Sequence, residues 1–253
     1  MYKIQKVDYS NSAFSYTDIY DQSLMNTLSV IGPKCSLEVS EPGSLTFVLG
    51  PDHPFINVLE PLATYVRALD DGNEIFYGRI LDKSDPTLTG QVTFTCEGAL
   101  SFLLDSEIPP YGKDTDGNQI THNMSAADFF ESCIDAHNNE VDDPRRAFEI
   151  GIVNAEKRNK TSDYSISQYT QTKSAIESEL LDIYGGFIRV RPKENGGHYI
   201  DWIENYETVD PQEIGVGVNL EDQTTHIDAN SLFTFVQFYQ VLQAAQQFHH
   251  QQI

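Results

Sequence analysis

From Glu41 to Asp105 apolar and polar positions alternate in short runs divided by turn residues, the pattern of a compact antiparallel β-module that ends in a short helix. In Leu45-Thr46-Phe47-Val48-Leu49 the residues Leu45, Phe47 and Leu49 share one face of a period-two element. Glu41-Pro42-Gly43-Ser44 precedes it with Pro and Gly at the two central positions of a type II turn, and Gly50-Pro51 stops it. Asp52-His53-Pro54 makes a corner, and the short apolar piece Phe55 to Leu59 follows. Thr64 to Leu69 and Glu74 to Leu81 read as strands joined through Asp70-Asp71-Gly72-Asn73, residues that tolerate positive φ in a hairpin. Gln91 to Glu97 supplies another strand. Gly98 to Asp105 then carries Leu100, Leu103 and Leu104 at helical spacing before the Pro109-Pro110 break.

Upstream, residues 1–40 begin polar and Tyr-rich, and Leu24 to Ile31 is apolar enough for a strand or a short helix. Cys35 to Val39 alternates and is expected to pair with Leu45 to Leu49 across the Pro-Gly turn, so that residues 1–105 form one mostly antiparallel unit. Downstream, Pro109 to Asn123 shifts to Gly, Asp, Asn, Thr and Pro, the composition of a boundary or a long loop. A second, α+β unit follows. Ser125-Ala126-Ala127-Asp128 has the form of a capping box, and Phe129, Phe130, Cys133, Ile134 and His137 fall on one face of a helix over Ser125 to Asn138. Ser174 to Glu177 repeats the capping signature ahead of a stripe of Ile176, Leu180, Leu181 and Tyr184 that Gly185-Gly186 ends. Phe187 to Arg191 and His198 to Ile203 alternate about Glu194 to Gly197 as a hairpin.

The 253 residues, 40% hydrophobic, are enough for one large domain or two ordinary ones. With 38 acidic and 16 basic side chains the formal charge is −22, which argues against a surface that binds free nucleic acid. Cys35, Cys96 and Cys133 are odd in number and irregularly spaced, the mark of reduced core thiols rather than a disulfide framework. The N-terminus has no apolar run that would make a secretory signal, and no segment reaches the length of a membrane span.

Candidate chemistry is sparse. The sequence has no HExxH, GxSxG, CxxC or P-loop pattern, so zinc-protease, serine-hydrolase, redox and nucleotide readings lack support. Asp114-Thr115-Asp116-Gly117-Asn118 has the flavour of a calcium loop, but its Gly falls early for an EF-hand and Ser125 stands where the bidentate Glu belongs; an acidic turn is the better reading. His137 lies on an apolar stripe, as a satisfied core histidine does, and His249-His250 is uninformative near the chain end. Asp70-Asp71 and Asp142-Asp143 read as solvated loop charge. Arg79, in a hydrophobic strand, is expected to make an ion pair or a carboxylate fork at a barrel surface or subunit contact. No catalytic, cofactor-binding or metal residue is assigned, and no cofactor is expected.

The order PGSLTFVLGPDHPF, EIFYGRILD, VTFTCEGALSFLLDSEIPPY resembles the N-terminal structural region of phage and prophage tail-tip proteins, the baseplate hub or tail-associated lysin family often labelled prophage tail endopeptidase. GIVN (Gly151 to Asn154), LLDIYGGFIRVR and YIDWIE extend the likeness, which covers roughly residues 28 to 228. The resemblance implies an α+β, mainly β fold: an antiparallel β-barrel-like tube domain from residues 1–108 and 212–230, with residues 109–211 inserted as an α+β domain and Gly215 to Leu220 within the return strand. It implies a virion structural protein, made in the bacterial host cytoplasm and located in the virion tail. It further implies a homotrimeric ring that contacts the distal tail protein and the tape-measure protein and carries receptor-binding or fibre proteins. DNA would pass through the channel without being bound, which the acidity suits, and no membrane anchor is expected. Two alternatives stand beside it: the structural region of a cell-wall hydrolase whose catalytic domain lies in other sequence, and the hub of a contractile injection machine.

Ser231 to Ile253 contains no Asp, Glu, Lys or Arg although 21% of the chain is charged. Either it is a helix with Phe235, Phe238, Val241, Leu242 and Ala245 on one face, or the natural protein continues past this point. The second is preferred, since an uncharged, aromatic, Gln-rich end without caps makes a poor surface helix.

Overall fold

A computed structural model describes residues 1–24, 29–155 and 157–205, which fall within one compact unit, Met1–Tyr206. The expectations for residues 212–230 and 231–253, the return strand among them, lie outside the described residues.

The sheet that dominates the molecule has seven strands, β1 (Tyr2–Ser10), β2 (Ala13–Asp21), β3 (Val30–Ser36), β4 (Ser44–Leu49), β5 (Tyr65–Asp70), β6 (Asn73–Lys83) and β7 (Val92–Gly98). Every pairing in it is antiparallel, in the order β2-β1-β5-β6-β7-β4-β3. The hairpin between β5 and β6 forms as expected: Asp71 and Gly72 take φ of +47° and +84°, the pair of positive values that a two-residue turn needs to match strand twist. The β3–β4 pairing also forms, but its register differs from the expectation. Strand β3 ends at Ser36 opposite Ser44, and Leu37 to Gly43 is loop.

The sheet curls so that side chains from all seven strands meet in one core, from Ile4 and Ile19 through Phe47, Val66, Ile80 and Phe94 to the half-buried Cys35. Strands β4 and β7 bury every second residue against it, which is why their alternation was plain in the sequence. The central strands β1, β5 and β6 have a second buried face. Val7, Tyr65 and Tyr77 point into a different core, away from their neighbours Ile4, Val66 and Phe76.

That second core is covered by a 3-10 turn (Ala99–Leu104), β8 (Glu107–Ile108), β9 (His122–Ser125), α1 (Ala126–Glu140), β10 (Phe148–Val153), β11 (Thr161–Tyr164), β12 (Thr170–Gln171), α2 (Thr172–Ile176), a π-helical turn (Glu177–Leu181), α3 (Asp182–Tyr184), β13 (Phe187–Pro192) and β14 (His198–Ile203). Helix α1 is capped as expected: the Ser125 hydroxyl accepts from the Asp128 N–H, and the Asp128 carboxylate accepts from the Ser125 N–H. The expected cap at Ser174 is corrected: the N-cap is Gln171, three residues earlier, α2 begins at the buried Thr172, which bonds to Ser106, and Ser174 lies inside the helix. Strands β13 and β14 form the expected hairpin, and β10 adds to β14 in parallel.

The fold is thus mainly β with few helices. The barrel-like tube is met only in part, for among the described residues the sheet is a curled half-barrel with β2 and β3 at its open edges. No helix among the described residues is long and apolar enough to cross a membrane.

Candidate functional site

The two cores are joined where polar side chains are buried between the sheet and its cover, and the densest such junction surrounds Arg79. Its register opposite Glu97 on β7 puts the two side chains side by side, and Nε donates to Glu97 Oε1 at 2.6 Å. The guanidinium end forks onto Asp105, the residue that ends the 3-10 turn, with Nη1 and Nη2 donating at 2.5 and 2.9 Å. Arg79 is therefore the expected carboxylate fork, but a buried one. Burial alone would raise the Asp105 carboxyl; the hydrogen bonds and charge of Arg79, reinforced by Arg146, hold it below the usual carboxylate range.

Next to it the turn after α1 contributes Asp143, Arg145 and Arg146. Arg145 forks onto Asp143 through Nε and Nη2 while its guanidinium lies 4.3 Å above the Tyr65 ring. The expectation of solvated loop charge thus fails for Asp143, which is paired and largely covered. Arg79, Asp105, Asp143, Arg145 and Arg146, with Leu62 on the rim, line a cleft of about 410 Å³.

Two other buried polar clusters fix the cover. Asp201 on β14 is fully buried and accepts from Arg189 Nε, from Arg191 Nε and Nη2, and from the Ile152 N–H. Burial would raise its carboxyl, but the Arg191 contact, followed by Ile152 and Arg189, lowers it on balance. His137 is the satisfied core histidine its stripe implied. Its Nε2–H donates to the Arg146 carbonyl at 3.0 Å, so Nδ1 accepts from the Ser106 hydroxyl at 2.7 Å, and Ser106 Oγ accepts in turn from Thr172 at 2.8 Å. A serine and a histidine at this distance have the spacing of a nucleophile and its base. All three side chains are fully buried, so no substrate reaches them, and the trio ties the residue just before β8 to α1 and α2.

Burial depresses the His137 pKa below its ordinary 6.5, which gives a pH dependence of definite sign. The unfolded chain takes up a proton near pH 6.5 while the folded one does so only lower, so stability is complete above 6.5 and is lost as pH falls towards the folded value. Urea unfolding at pH 7.5 and 5.5 should show a smaller drop in midpoint for His137→Gln than for the parent protein. An equal drop would place the titration elsewhere.

Of the remaining residues singled out in the sequence, Cys96 and Cys133 are buried free thiols, and Cys35 is half-buried on an edge strand. Asp114 closes its own loop, Oδ1 accepting from the N–H groups of Asp116 and Asn118. Asp70 and Asp71 bracket the N-terminal amine. Among the described residues no group of three His, Cys, Asp or Glu side chains is placed to hold a metal ion. His249 and His250 lie outside the described residues. Sequence reasoning missed Asp201, Ser106, Arg145 and Arg146; only Arg189 and Arg191, two positions apart on a strand, signalled a shared acidic partner.

No family model matches the sequence, and no curated protein matches it. Solved structures that it resembles include a tail protein from Neisseria meningitidis MC58 (TM-score 0.47, 12% identity, 79% of this chain and 50% of that one). A 43 kDa tail protein of prophage MuSo2 from Shewanella oneidensis gives 0.45 and 15% identity, over 79% and 54% of the two chains. The prophage tail protein gp18 from Listeria monocytogenes EGD-e gives 0.45 and 14%, over 79% and 50%. The chain spans about half the length of each of these proteins.

Proposed function

We propose that the protein is a structural component of a phage or prophage tail, the hub at its tip. The observation that carries this reading is the convergence on Arg79. Three separate sequence blocks form the resemblance to tail-tip hubs, and Arg79 of EIFYGRILD binds both Glu97 and Asp105 of VTFTCEGALSFLLDSEIPPY, while Gly98 of the same block donates its N–H to Gly43 of PGSLTFVLG. The blocks are neighbours in space, holding one sheet, which is how a shared scaffold would use them.

In this reading three copies form a ring that continues the tail tube. The ring contacts the distal tail protein and the tape-measure protein and carries the receptor-binding or fibre proteins. The chain itself works by assembly rather than by chemistry, and any wall hydrolysis belongs to other sequence. Its acidic surface lets DNA slide past.

Light scattering on the purified chain should return a trimer, or a monomer that trimerises only in the tail. A stable dimer or tetramer would remove the hub reading. A salt-sensitive shift of duplex DNA in a gel would overturn the conduit part of it alone.

A further inference from the structure

Leu62 has a backbone that side chains rarely tolerate: φ is +60°, and its N–H is tied to the Ile80 carbonyl at 2.7 Å. The strain is not repaid by burial, since Leu62 is 58% exposed. It stands on the rim of the cleft that holds Arg79, Arg145 and Arg146. Within that cleft Arg79 is saturated by Glu97 and Asp105, and Arg145 is forked to Asp143. Arg146 gives Nη1 to Asp105 and its side chain is 25% exposed, so the outer end of its guanidinium can be reached from solvent, whereas its Nε, without a partner among the described residues, is buried out of reach. A strained, displayed leucine beside a guanidinium with a spare donor matches an acidic side chain flanked by apolar ones.

The same chain displays such a segment elsewhere. In the loop between β3 and β4, Leu37 and Val39 are 62% and 51% exposed and the exposed Glu38 lies between them. We propose that the Leu62–Arg146 cleft is a docking site for a second copy of this chain, with Leu37-Glu38-Val39 of one copy entering the cleft of the next. The two surfaces differ, so the contact can repeat head-to-tail and close into a ring when the rotation between copies allows, or pair reciprocally as a two-fold dimer. The proposal rests on the hub reading only for the number of copies, since the contact is drawn from charge and apolar complementarity on this chain.

Sedimentation velocity over a range of concentrations tests it on the intact protein. The parent chain should self-associate. Glu38→Lys and Leu62→Gly, both surface changes, should each weaken association by roughly tenfold or more. Leu62→Gly should at the same time raise the thermal midpoint, because glycine accepts the positive φ; a merely structural leucine would not couple a more stable fold to a weaker assembly. A parent chain that stays monomeric at every concentration overturns the contact, as does a trimer that neither variant weakens. The second result leaves the hub reading standing. A dimer weakened by both variants supports the contact and removes the hub reading.

Discussion

Gly98→Ala is expected to abolish the cooperative fold, or to lower its stability by about 4 kcal/mol or more, the range reached when backbone must move to admit a side chain. A Cβ at Gly98 would stand 1.7 Å from the Pro42 carbonyl oxygen and 2.8 Å from its carbon. Both are main-chain atoms of the turn that leads into β4, and the Gly98 N–H is bonded to Gly43 in that turn, so no rotamer change relieves the clash. Gly78, directly opposite Gly98, is equally constrained, with Glu97 O 1.9 Å from its would-be Cβ. A loss of about 4 kcal/mol corresponds to roughly 8–16 °C in thermal midpoint for a domain of this size. Gly112→Ala is the control: Gly98 has φ of −78°, whereas Gly112 has φ of +84°, which disfavours alanine on its own account, but nothing lies within 4 Å of its would-be Cβ. If scanning calorimetry gave both variants the same small shift, the close approach at Gly98 would be wrong.

Asp201→Leu should cost about 3 kcal/mol, near the lower end for breaking a buried ion pair by removing one partner. The discount reflects the arginines, which are partly exposed and can return to water, whereas the Ile152 N–H loses its acceptor. The effect also has a pH signature. The depressed carboxyl contributes stability that is complete above the unfolded value near 3.8 and is lost as pH falls through the folded one. The gap between parent and variant in urea midpoint should therefore be constant from pH 7 to 5 and shrink below about 4. A gap that persists unchanged at pH 2 would mean that Asp201 acts by packing and not by charge.

The elements that were readable in the sequence are those with one buried face. Strands β4 and β7 alternate cleanly, α1 has a single apolar stripe and a capping box, and the β5–β6 and β13–β14 turns carry Asp71-Gly72 and Gly196-Gly197 where positive φ is needed. Strands β1 and β2 were missed for a physical reason. On β1 Ile4 and Val7 enter opposite cores, a bulge after Ile4 breaks the period, and most other positions are polar and half-covered. The turn between them is Asn11-Ser12, both at positive φ, which lacks the glycine that usually announces such a hairpin. Within the candidate cleft only Arg79 could be singled out, because a charge in an apolar strand needs an explanation. Arg145 and Arg146 sit in a polar turn where charge needs none, and their partners come from distant sequence.

The second core also sets a schedule for synthesis. It joins Val7 near the start of the chain to Trp202 near the end of the described part, and β10 can complete its pairing only when the parallel strand β14 arrives. At about 5–20 residues per second, roughly 10–40 s separate the emergence of β1 from that of β14. Once α1 has emerged, Phe129, Phe130 and Cys133 lack for roughly 4–14 s the cover that Trp202 and Ile200 later give. Slow, non-local closure of this sort is where a folding helper or a cool growth temperature is expected to raise the yield of folded protein.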